Sequence, residues 1–201
     1  MRVVAFGCSN TYGHGLDDCW NPDNNGPGPH PSKYAWPQLL ADKLNVQCVN
    51  MGIPGASNKL IWKSIVDFVF KKDDKVFVLW SNPDRWCIFN DKGIDLEIAH
   101  WNKSKKSQMF YKVLYNSYDL FLDTNMRMSH ASHHLNIMNI VNYHNVTENI
   151  ELKKYAKHVN VFSNVVPFSE LKFKYDFAKD KVHAGPIAHK AYVKQILKEI
   201  L

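Results

Sequence analysis

The sequence lacks the features that mark membrane and secreted proteins. No apolar run approaches the roughly 20 residues that a membrane-spanning helix needs. The apolar run before Gly7 is too short for the core of a secretory signal. We therefore expect a cytoplasmic protein without a membrane span.

Several chemical signatures are also missing. The G-x-S-x-G elbow of α/β-hydrolases, the phosphate loop G-x-x-x-x-G-K and the dinucleotide fingerprint are absent. The cysteines are scattered and form no C-x-x-C pair, which argues against a zinc or redox motif; they are Cys8, Cys19, Cys48 and Cys87. In a reducing compartment we expect them to be free thiols.

What is present is the composition of an ordinary globular chain. Of the 201 residues, 45% are hydrophobic and 22% are charged, and no internal repeat, low-complexity tract or linker is visible. We expect one domain over residues 1–201. The net charge of +6 raises nucleic acid as a partner. The lysines are spread along the chain without an arginine-rich run, so a solvated basic surface is favoured and nucleic-acid binding is disfavoured.

The first half of the chain alternates apolar runs with helical patterns. Each crossover between the apolar runs is long enough for a helix, which favours parallel strands. This order predicts an α/β fold, a three-layer αβα sandwich around a central parallel sheet. The loop of residues 16–32 either shapes a substrate pocket or is a surface insertion. The predicted elements are strands over residues 2–6, 46–49 and 75–80 and helices over residues 34–44 and 58–70.

The second half of the chain is less regular. Residues 86–98 predict two short strands or a lobe over the edge of the sheet, and residues 107–145 have a mainly helical pattern. The remaining predictions are a short helix over residues 152–157, a fourth strand over residues 158–166 and an amphipathic closing helix over residues 188–201.

Ser9 is the candidate nucleophile. It lies on the first tight turn after the strand of residues 2–6, where Gly7 ends the apolar run. A serine there has its hydroxyl and its N–H at the carboxyl end of the strand, the edge at which open α/β sheets bind ligands. Because Gly and Ser are also ordinary turn residues, the base and the oxyanion donors must come from elsewhere in the chain.

Asp180-Lys-Val-His183 supplies a candidate base and its partner. An Asp three residues before a His can place its carboxylate on the imidazole Nδ1 and leave Nε2 free to accept a proton from a serine. The alternative is a helix N-cap beside an exposed histidine. Ser9 and His183 meet if both lie at the same edge of the sheet.

Four blocks of the chain, in order, resemble the SGNH (GDSL-type) hydrolases, a family of esterases and lipases. FGCSNTYGHG stands where the family has Gly-Asp-Ser and aligns Ser9 with the nucleophile. VNMGIPGAS resembles the Asn-x-Gly-x-x-Gly loop and aligns Gly55 with an oxyanion glycine. LWSNPDRW stands in place of Gly-x-Asn-Asp and aligns Asn82 with the oxyanion asparagine, and DKVHAGPIAH resembles Asp-x-x-His-Pro, with Asp180 and His183.

Two of these blocks depart from the family pattern. Cys8 occupies the position of the usual Asp, which is not a triad member. Cys8 is an alternative nucleophile, but successive residues of a turn point in different directions and only one can face His183. In the third block Pro83 lies nearer to the asparagine position, so Ser81, Asn82 or a backbone N–H is the third oxyanion donor.

The resemblance implies a flavodoxin-like fold and serine ester hydrolysis without a metal or organic cofactor. Ser9 attacks an ester carbonyl, and His183 acts as general base and then as general acid. Asp180 orients His183. The N–H groups of Ser9 and Gly55, with the Asn82 side chain, form the oxyanion hole. The implied substrate is a small ester, such as an O-acetylated carbohydrate.

Two other functions compete with this interpretation. The SGNH hydrolases also include acyltransferases, which use the same triad and pass the acyl group to a hydroxyl instead of water. A catalytically silent module that binds carbohydrate or protein is the other alternative, motivated by Cys8 and by the irregular third block.

Other polar residues have weaker claims to a function. His14 follows Ser9 in the same loop and is a candidate for substrate contact. Arg85 either binds an anionic group of the substrate or forms a salt bridge with Asp84 or another carboxylate. A predicted helix carries three histidines, two of which can lie on one face as ligands for a metal ion; the three are His130, His133 and His134. The helix has no acidic or cysteine partner at ligand spacing, so a solvated face is favoured.

Overall fold

The computed structural model describes residues 1–91, 93–147 and 159–201. The strands are β1 (Arg2–Gly7), β2 (Trp20–Asn21), β3 (Gly26–Pro27), β4 (Gln47–Gly52), β5 (Asp74–Trp80), β6 (Trp86–Asn90), β7 (Gly93–Ile98) and β8 (Val141–Val146). The helices are α1 (Ser9–Tyr12), α2 (Trp36–Lys43), α3 (Asn58–Val66), α4 (Lys105–Met109) with a following π-helical turn (Phe110–Leu114), α5 (Ser117–Ile137), α6 (Phe168–Lys174) and α7 (Pro186–Ile200). None of these described helices is long and apolar enough to cross a bilayer.

The main sheet consists of parallel strands in the order β4-β1-β5-β8. Numbered along the chain, this order is 2-1-3-4, the arrangement of flavodoxin-like folds. In such folds the ligand binds beyond the carboxyl ends of the strands, at the point where the strand order reverses. That point here lies between β1 and β5. The predicted three-layer αβα fold with a central parallel sheet is confirmed.

The core has two halves, one on each face of the main sheet. Successive side chains of β1 point to opposite faces. Val4 and Phe6 pack with residues of α3 and α5, whereas Val3 and Ala5 pack with residues of α2 and α7. The same alternation in β5 explains its continuous apolar sequence, because helices cover both faces.

Helix α1 is held against the end of β4. A Cβ on Gly52 would come within 2.5 Å of the Tyr12 nitrogen, so this close approach requires a glycine. Asn50 fixes the contact, since its Nδ2 donates to the Thr11 carbonyl at 2.7 Å and its Oδ1 accepts from the Gly52 N–H at 2.9 Å. The first turn after β1 therefore stays at the carboxyl edge of the sheet.

The fourth strand of the main sheet differs from the prediction. It is β8, at Val141–Val146, at the end of the stretch 107–145 that the pattern predicts as helical. The predicted strand over residues 158–166 is wrong: its described part contributes an isolated bridge from Val161 to His144. The sheet thus gains its edge strand from a segment whose sequence is rich in polar residues.

The remaining predicted elements agree with the structure apart from their ends, whereas helix α6 lies in a stretch that the sequence predicts as a loop. Of the two alternatives for residues 86–98, the structure shows the two short strands, which pair as the antiparallel hairpin β6–β7. The closing helix is α7, which begins at Pro186. The loop of residues 16–32 contains the short antiparallel ribbon β2–β3. The predicted helix over residues 152–157 lies outside the described residues.

Candidate active site

Ser9 is the first residue of α1, and Cys8 occupies the N-cap position. The first N–H groups of a helix have no partner within the helix, so the Ser9 hydroxyl and N–H stand together at the end of β1. Cys8 is 1% exposed and packs in the core with Phe6. This placement supports Ser9 over Cys8 as the nucleophile.

Asp180 and His183 lie in the loop before α7 and reach Ser9 from the far end of the chain. His183 Nε2 is 2.8 Å from Ser9 Oγ, and His183 Nδ1 is 2.5 Å from Asp180 Oδ2. Asp180 Oδ1 accepts the N–H groups of Val182 at 2.9 Å and of His183 at 3.0 Å. The structure therefore brings the three predicted residues into one hydrogen-bonded chain.

The electrostatics of the loop keep Asp180 ionised. Burial favours the neutral carboxyl, but the hydrogen bonds from the His183 side chain and from the two backbone N–H groups outweigh it. They hold the pKa of Asp180 well below its usual range. A carboxylate on Nδ1 fixes the proton there and leaves Nε2 as an acceptor toward Ser9.

His14 packs on one face of the candidate base. Its ring is stacked on His183, with the centroids 4.5 Å apart. Burial and the neighbouring His183 lower the pKa of His14, although Asp180 acts in the opposite direction. His14 Nε2 is buried without a hydrogen-bond partner and lies 4.0 Å from Asp180 Oδ2. The stacked His14 ring thus covers one face of the His183 ring.

Gly55 lies in a tight turn beside Ser9. The Ala56 N–H donates to the Ile53 carbonyl at 3.1 Å, and Gly55 follows Pro54 with φ 81°. Proline followed by a residue of positive φ defines a type II turn, which favours glycine at the second of these positions. The Gly55 N–H belongs to the central peptide of the turn, which takes no part in the turn's own hydrogen bond. Because Gly55 lines the same cavity as Ser9, this N–H is a candidate oxyanion donor.

Ser81 and Asn82 follow β5, next to β1 in the sheet. Asn58 holds Ser81 by both backbone groups: its Oδ1 accepts the Ser81 N–H at 2.7 Å and its Nδ2 donates to the Ser81 carbonyl at 2.9 Å. Ser81 Oγ is buried without a hydrogen-bond partner, and Asn82 Oδ1 is 3.5 Å from the Asp84 nitrogen. Neither residue is among the described ones that line the cavity. The third oxyanion donor stays a prediction.

A cavity of about 250 Å³ opens over the hydrogen-bonded residues. The long loop of residues 16–32 contributes none of its described residues to the lining, which favours its interpretation as a surface insertion. His14 and Arg85, the residues predicted to contact substrate, both lie in the cavity wall. The lining consists of Ser9, His14, Pro54, Gly55, Arg85, Trp101, Val182 and His183.

One group of described residues has the geometry to hold a metal ion. His14, Asp180 and His183 offer ligand atoms within 4.8 Å of one another. Two of these residues already hydrogen-bond each other, so a bound ion would have to replace the contacts of the triad. His130, from the helix considered as a metal pair, accepts the Trp62 indole N–H at 2.9 Å, which supports a structural role for that face.

The sequence reasoning missed Trp101 and the role of Asn58. Trp101 follows the hairpin β6–β7, and its contact with Arg85 arises only when that hairpin folds. Ser57 caps α3 through its Oγ, so Asn58 is not needed as a cap and instead holds the loop after β5. The sequence signal for this role is the pair Ser57-Asn58. A helix needs only one capping side chain of this kind, so the second residue of the pair can make a different contact.

Comparisons with known proteins place the fold. No family model matches the sequence, and no curated protein matches it. A protein assigned to the lipolytic G-D-S-L family from Desulfitobacterium hafniense aligns with a TM-score of 0.55 and 12% identity, over 98% of both chains. An acetyl xylan esterase from the rumen bacterium Butyrivibrio proteoclasticus gives 0.58 and 9%, over 98% of this chain and 62% of that one. An acetylxylan esterase from Geobacillus stearothermophilus gives 0.56 and 15%, over 99% and 93%.

These similarities establish that the chain has the fold of the GDSL (SGNH) hydrolases. The resemblance that four sequence blocks indicate is thereby confirmed at the level of the fold. At identities of 9% to 15% the activity has to be argued from the site itself.

Proposed function

We propose that this protein is a serine ester hydrolase that removes a short acyl group from a small ester, such as an O-acetylated carbohydrate. The observation that carries the proposal is the chain of contacts Asp180–His183–Ser9. Its two hydrogen bonds, of 2.5 Å and 2.8 Å, end on a hydroxyl in the wall of a cavity. Carboxylate, imidazole and hydroxyl in this order form the general apparatus for acyl transfer through a serine.

In the proposed mechanism His183 Nε2 takes the proton of Ser9 Oγ as the oxygen attacks the ester carbonyl. The imidazolium that forms is stabilised by Asp180, which remains ionised. His183 then gives the proton to the leaving alcohol, and the acyl group stays on Ser9. A water molecule, deprotonated by His183, attacks the acyl-enzyme, and His183 returns that proton to Ser9 Oγ as the acid is released.

The oxyanion of each tetrahedral intermediate is proposed to lie between the N–H groups of Ser9 and Gly55. Asn82 is the proposed third donor, by its position in the third sequence block. Each donor of this kind is typically worth roughly 3 kcal/mol of transition-state stabilisation. The type II turn supports the assignment of Gly55, because the Gly55 N–H takes no part in the turn's own hydrogen bond and Gly55 lines the cavity.

The size of the cavity supports a short acyl group. Pockets for drug-sized ligands measure about 300–1,000 Å³, and this one is about 250 Å³. Two of the structural neighbours are described as acetyl xylan esterases. An acetyl ester of a carbohydrate therefore fits the proposal better than a long-chain lipid.

The test combines covalent labelling with hydrolysis of p-nitrophenyl acetate, butyrate and octanoate. We expect a fluorophosphonate probe to label the wild type at Ser9, and we expect turnover to fall from acetate to octanoate. Ser9→Ala should abolish both labelling and turnover. The exposed Ser163→Ala is the matched control and should retain both.

Circular dichroism shows whether each variant is folded. Folded wild-type protein that is neither labelled nor active would contradict the proposal and favour a binding module on the same fold. Equal turnover by the wild type and Ser9→Ala would remove Ser9 as the nucleophile.

A further inference from the structure

Arg85 stands in the wall of the candidate active site with unused hydrogen-bond donors. Its Nε and Nη1 are buried and have no hydrogen-bond partner among the residues that the structure describes. The same residue lines the cavity that contains Ser9 and His183. A guanidinium is always charged, and leaving its donors unsatisfied away from water costs free energy.

The guanidinium is held in place by an aromatic ring instead of a carboxylate. Its central carbon lies 4.5 Å from the ring centroid of Trp101, within the range of a cation–π contact. Trp101 is 48% exposed and lies at the rim of the same cavity. Arg85 is therefore fixed in orientation while its fork of N–H groups remains available.

The nearest acidic residue in the sequence does not neutralise Arg85. Asp84 turns its Oδ2 to His100 Nδ1 at 3.1 Å. The backbone of the turn is anchored by Tyr111, whose hydroxyl donates to the Asp84 carbonyl at 2.6 Å. Tyr111 lies in the π-helical turn after α4, and π-helical turns are frequent at functional sites. Of the two interpretations of Arg85 made from the sequence, the structure favours the anion site over the ion pair.

The other charged groups around the cavity are few. A carboxylate oxygen of Glu97 lies 4.0 Å from the position that a Cβ on Gly55 would take. Glu97 is exposed, and it is not among the described residues that line the cavity. The cavity wall therefore carries one permanent positive charge and no carboxylate among its described residues.

We propose that Arg85, oriented by Trp101, forms an anion-binding subsite beside Ser9, so that the substrate is an ester that also carries a carboxylate or a phosphate. The planar fork of Arg matches both groups with two parallel hydrogen bonds. An acylated acidic sugar has the required chemistry, with the acyl carbonyl at Ser9 and the anion at Arg85. This inference rests on the proposed ester hydrolase function for its placement in a substrate site.

The experiment compares acetate release from three acetylated methyl glucosides. One is neutral, one has a carboxylate at C6 and one has a phosphate there. We expect kcat/KM of the wild type to be about 10- to 100-fold higher for an anionic ester than for the neutral one, the range for hydrogen bonds to charged groups. The anionic ester whose kcat/KM exceeds that of the neutral ester by the larger factor tells whether the subsite binds a carboxylate or a phosphate.

The variant Arg85→Gln tests the residue. We expect the ratio of anionic to neutral kcat/KM to fall to about one. Arg127→Gln removes the same charge from α5, where Arg127 pairs with Asp123, and should leave the ratio as in the wild type. A ratio near one in the wild type, with the esters hydrolysed, would overturn the subsite and leave the esterase standing.

A second readout does not depend on turnover or on the variant. We expect the unacylated C6 carboxylate glucoside to shift the indole N–H resonance of Trp101 in the wild type, and the neutral glucoside to leave it unmoved. A shift without hydrolysis of any ester would retain the anion subsite and reject the esterase. The absence of both shift and hydrolysis would reject both proposals.

Discussion

Asp180 uses both of its carboxylate oxygens to set the position of one imidazole. Oδ1 accepts the N–H groups of Val182 and His183, and Oδ2 faces His183 Nδ1. The two backbone hydrogen bonds to Oδ1 fix the orientation of the carboxylate, and this orientation directs Oδ2 to His183 Nδ1. The loop therefore determines which nitrogen of His183 carries the proton.

Asp180→Asn should lower kcat for an acetyl ester by roughly 10³- to 10⁴-fold, as expected for the wrong tautomer. The amide Oδ1 keeps the two backbone N–H groups and turns the NH₂ group to His183 Nδ1. The proton of His183 then moves to Nε2, which can no longer accept the proton of Ser9. Nitrogen NMR of the imidazole should show this change directly.

The matched control is Asp176→Asn. Asp176 accepts the N–H groups of Ile187 and Ala188 at the start of α7 and makes no contact with His183 among the described residues. We expect this variant to keep the wild-type tautomer. Activity of Asp180→Asn within tenfold of the wild type would contradict the assigned role of the carboxylate.

At the scale of the elements, Asn58 joins the start of α3 to the end of β5. Its side chain is 2% exposed and holds the N–H and the carbonyl of Ser81. Its Nδ2 also lies 3.2 Å from Thr124 Oγ1 on α5. One buried amide thus ties two helices to the loop that carries the third oxyanion candidate.

Asn58→Leu should lower the free energy of unfolding by about 2–4 kcal/mol, because it leaves the backbone groups of Ser81 buried without partners. Urea denaturation measures the loss. Ser64→Ala on the same helix removes one part-buried hydrogen bond to the Leu60 carbonyl within the helix and should cost about 0.5 kcal/mol or less. Similar losses in both variants would mean that the Asn58 bridge is not a main support of the loop.

Sequence patterns predict a strand or a helix when the polarity of its residues follows their burial. The central residues of β1 and β5 are apolar because helices cover both faces, and their sequences show it. β8 is covered in the same way but contains buried polar residues, so its sequence does not show the apolar pattern of a buried strand. Asn142 bonds Ser132, His144 accepts from Trp80, and Asn145 accepts a bond from the Val146 N–H and donates to Tyr192. Apart from Val146, these partners come from other elements and become visible only when the chain is folded.

The candidate site divides in the same manner. Ser9, Asp180 and His183 lie in short motifs whose spacing carries their chemistry, so the sequence predicts them. The contact between Arg85 and Trp101 has no local signal, because the hairpin β6–β7 separates the two residues. The stacking of His14 on His183 likewise joins two distant loops.

At the scale of the whole molecule, two buried histidines make stability depend on pH. His144 Nδ1 accepts the Trp80 indole N–H, and His189 Nδ1 accepts the Trp36 backbone N–H. Neither Nδ1 can therefore take up the proton that would make its ring cationic without losing this hydrogen bond. Burial lowers the pKa of His144 to about 3; burial, with a smaller effect of His183, lowers that of His189 to about 3. The unfolded chain binds these protons near pH 6.5. Stability is therefore fully present above pH 6.5 and falls as the pH drops from 6.5 toward 3.

We expect the loss to be roughly 1.4 kcal/mol per pH unit for each of the two histidines within that window. Urea denaturation at pH 7.5, 6, 5 and 4 measures it. His189→Asn keeps an acceptor for the Trp36 N–H and should reduce the slope by about one proton. The same change at the exposed His133 should leave the slope unaltered, and an equal effect of both variants would contradict the assignment.

The contact between Ser9 and His183 joins positions 174 residues apart. During translation Ser9 is synthesised before His183, with an interval on the order of ten seconds at usual rates of translation. If Ser9 and His183 have the proposed roles, the hydroxyl lacks its base throughout that time, and an unfinished chain is expected to be neither active nor acylated. Labelling of Ser9 would thus report, in a single chemical event, that synthesis has passed His183 and that the two segments have folded together.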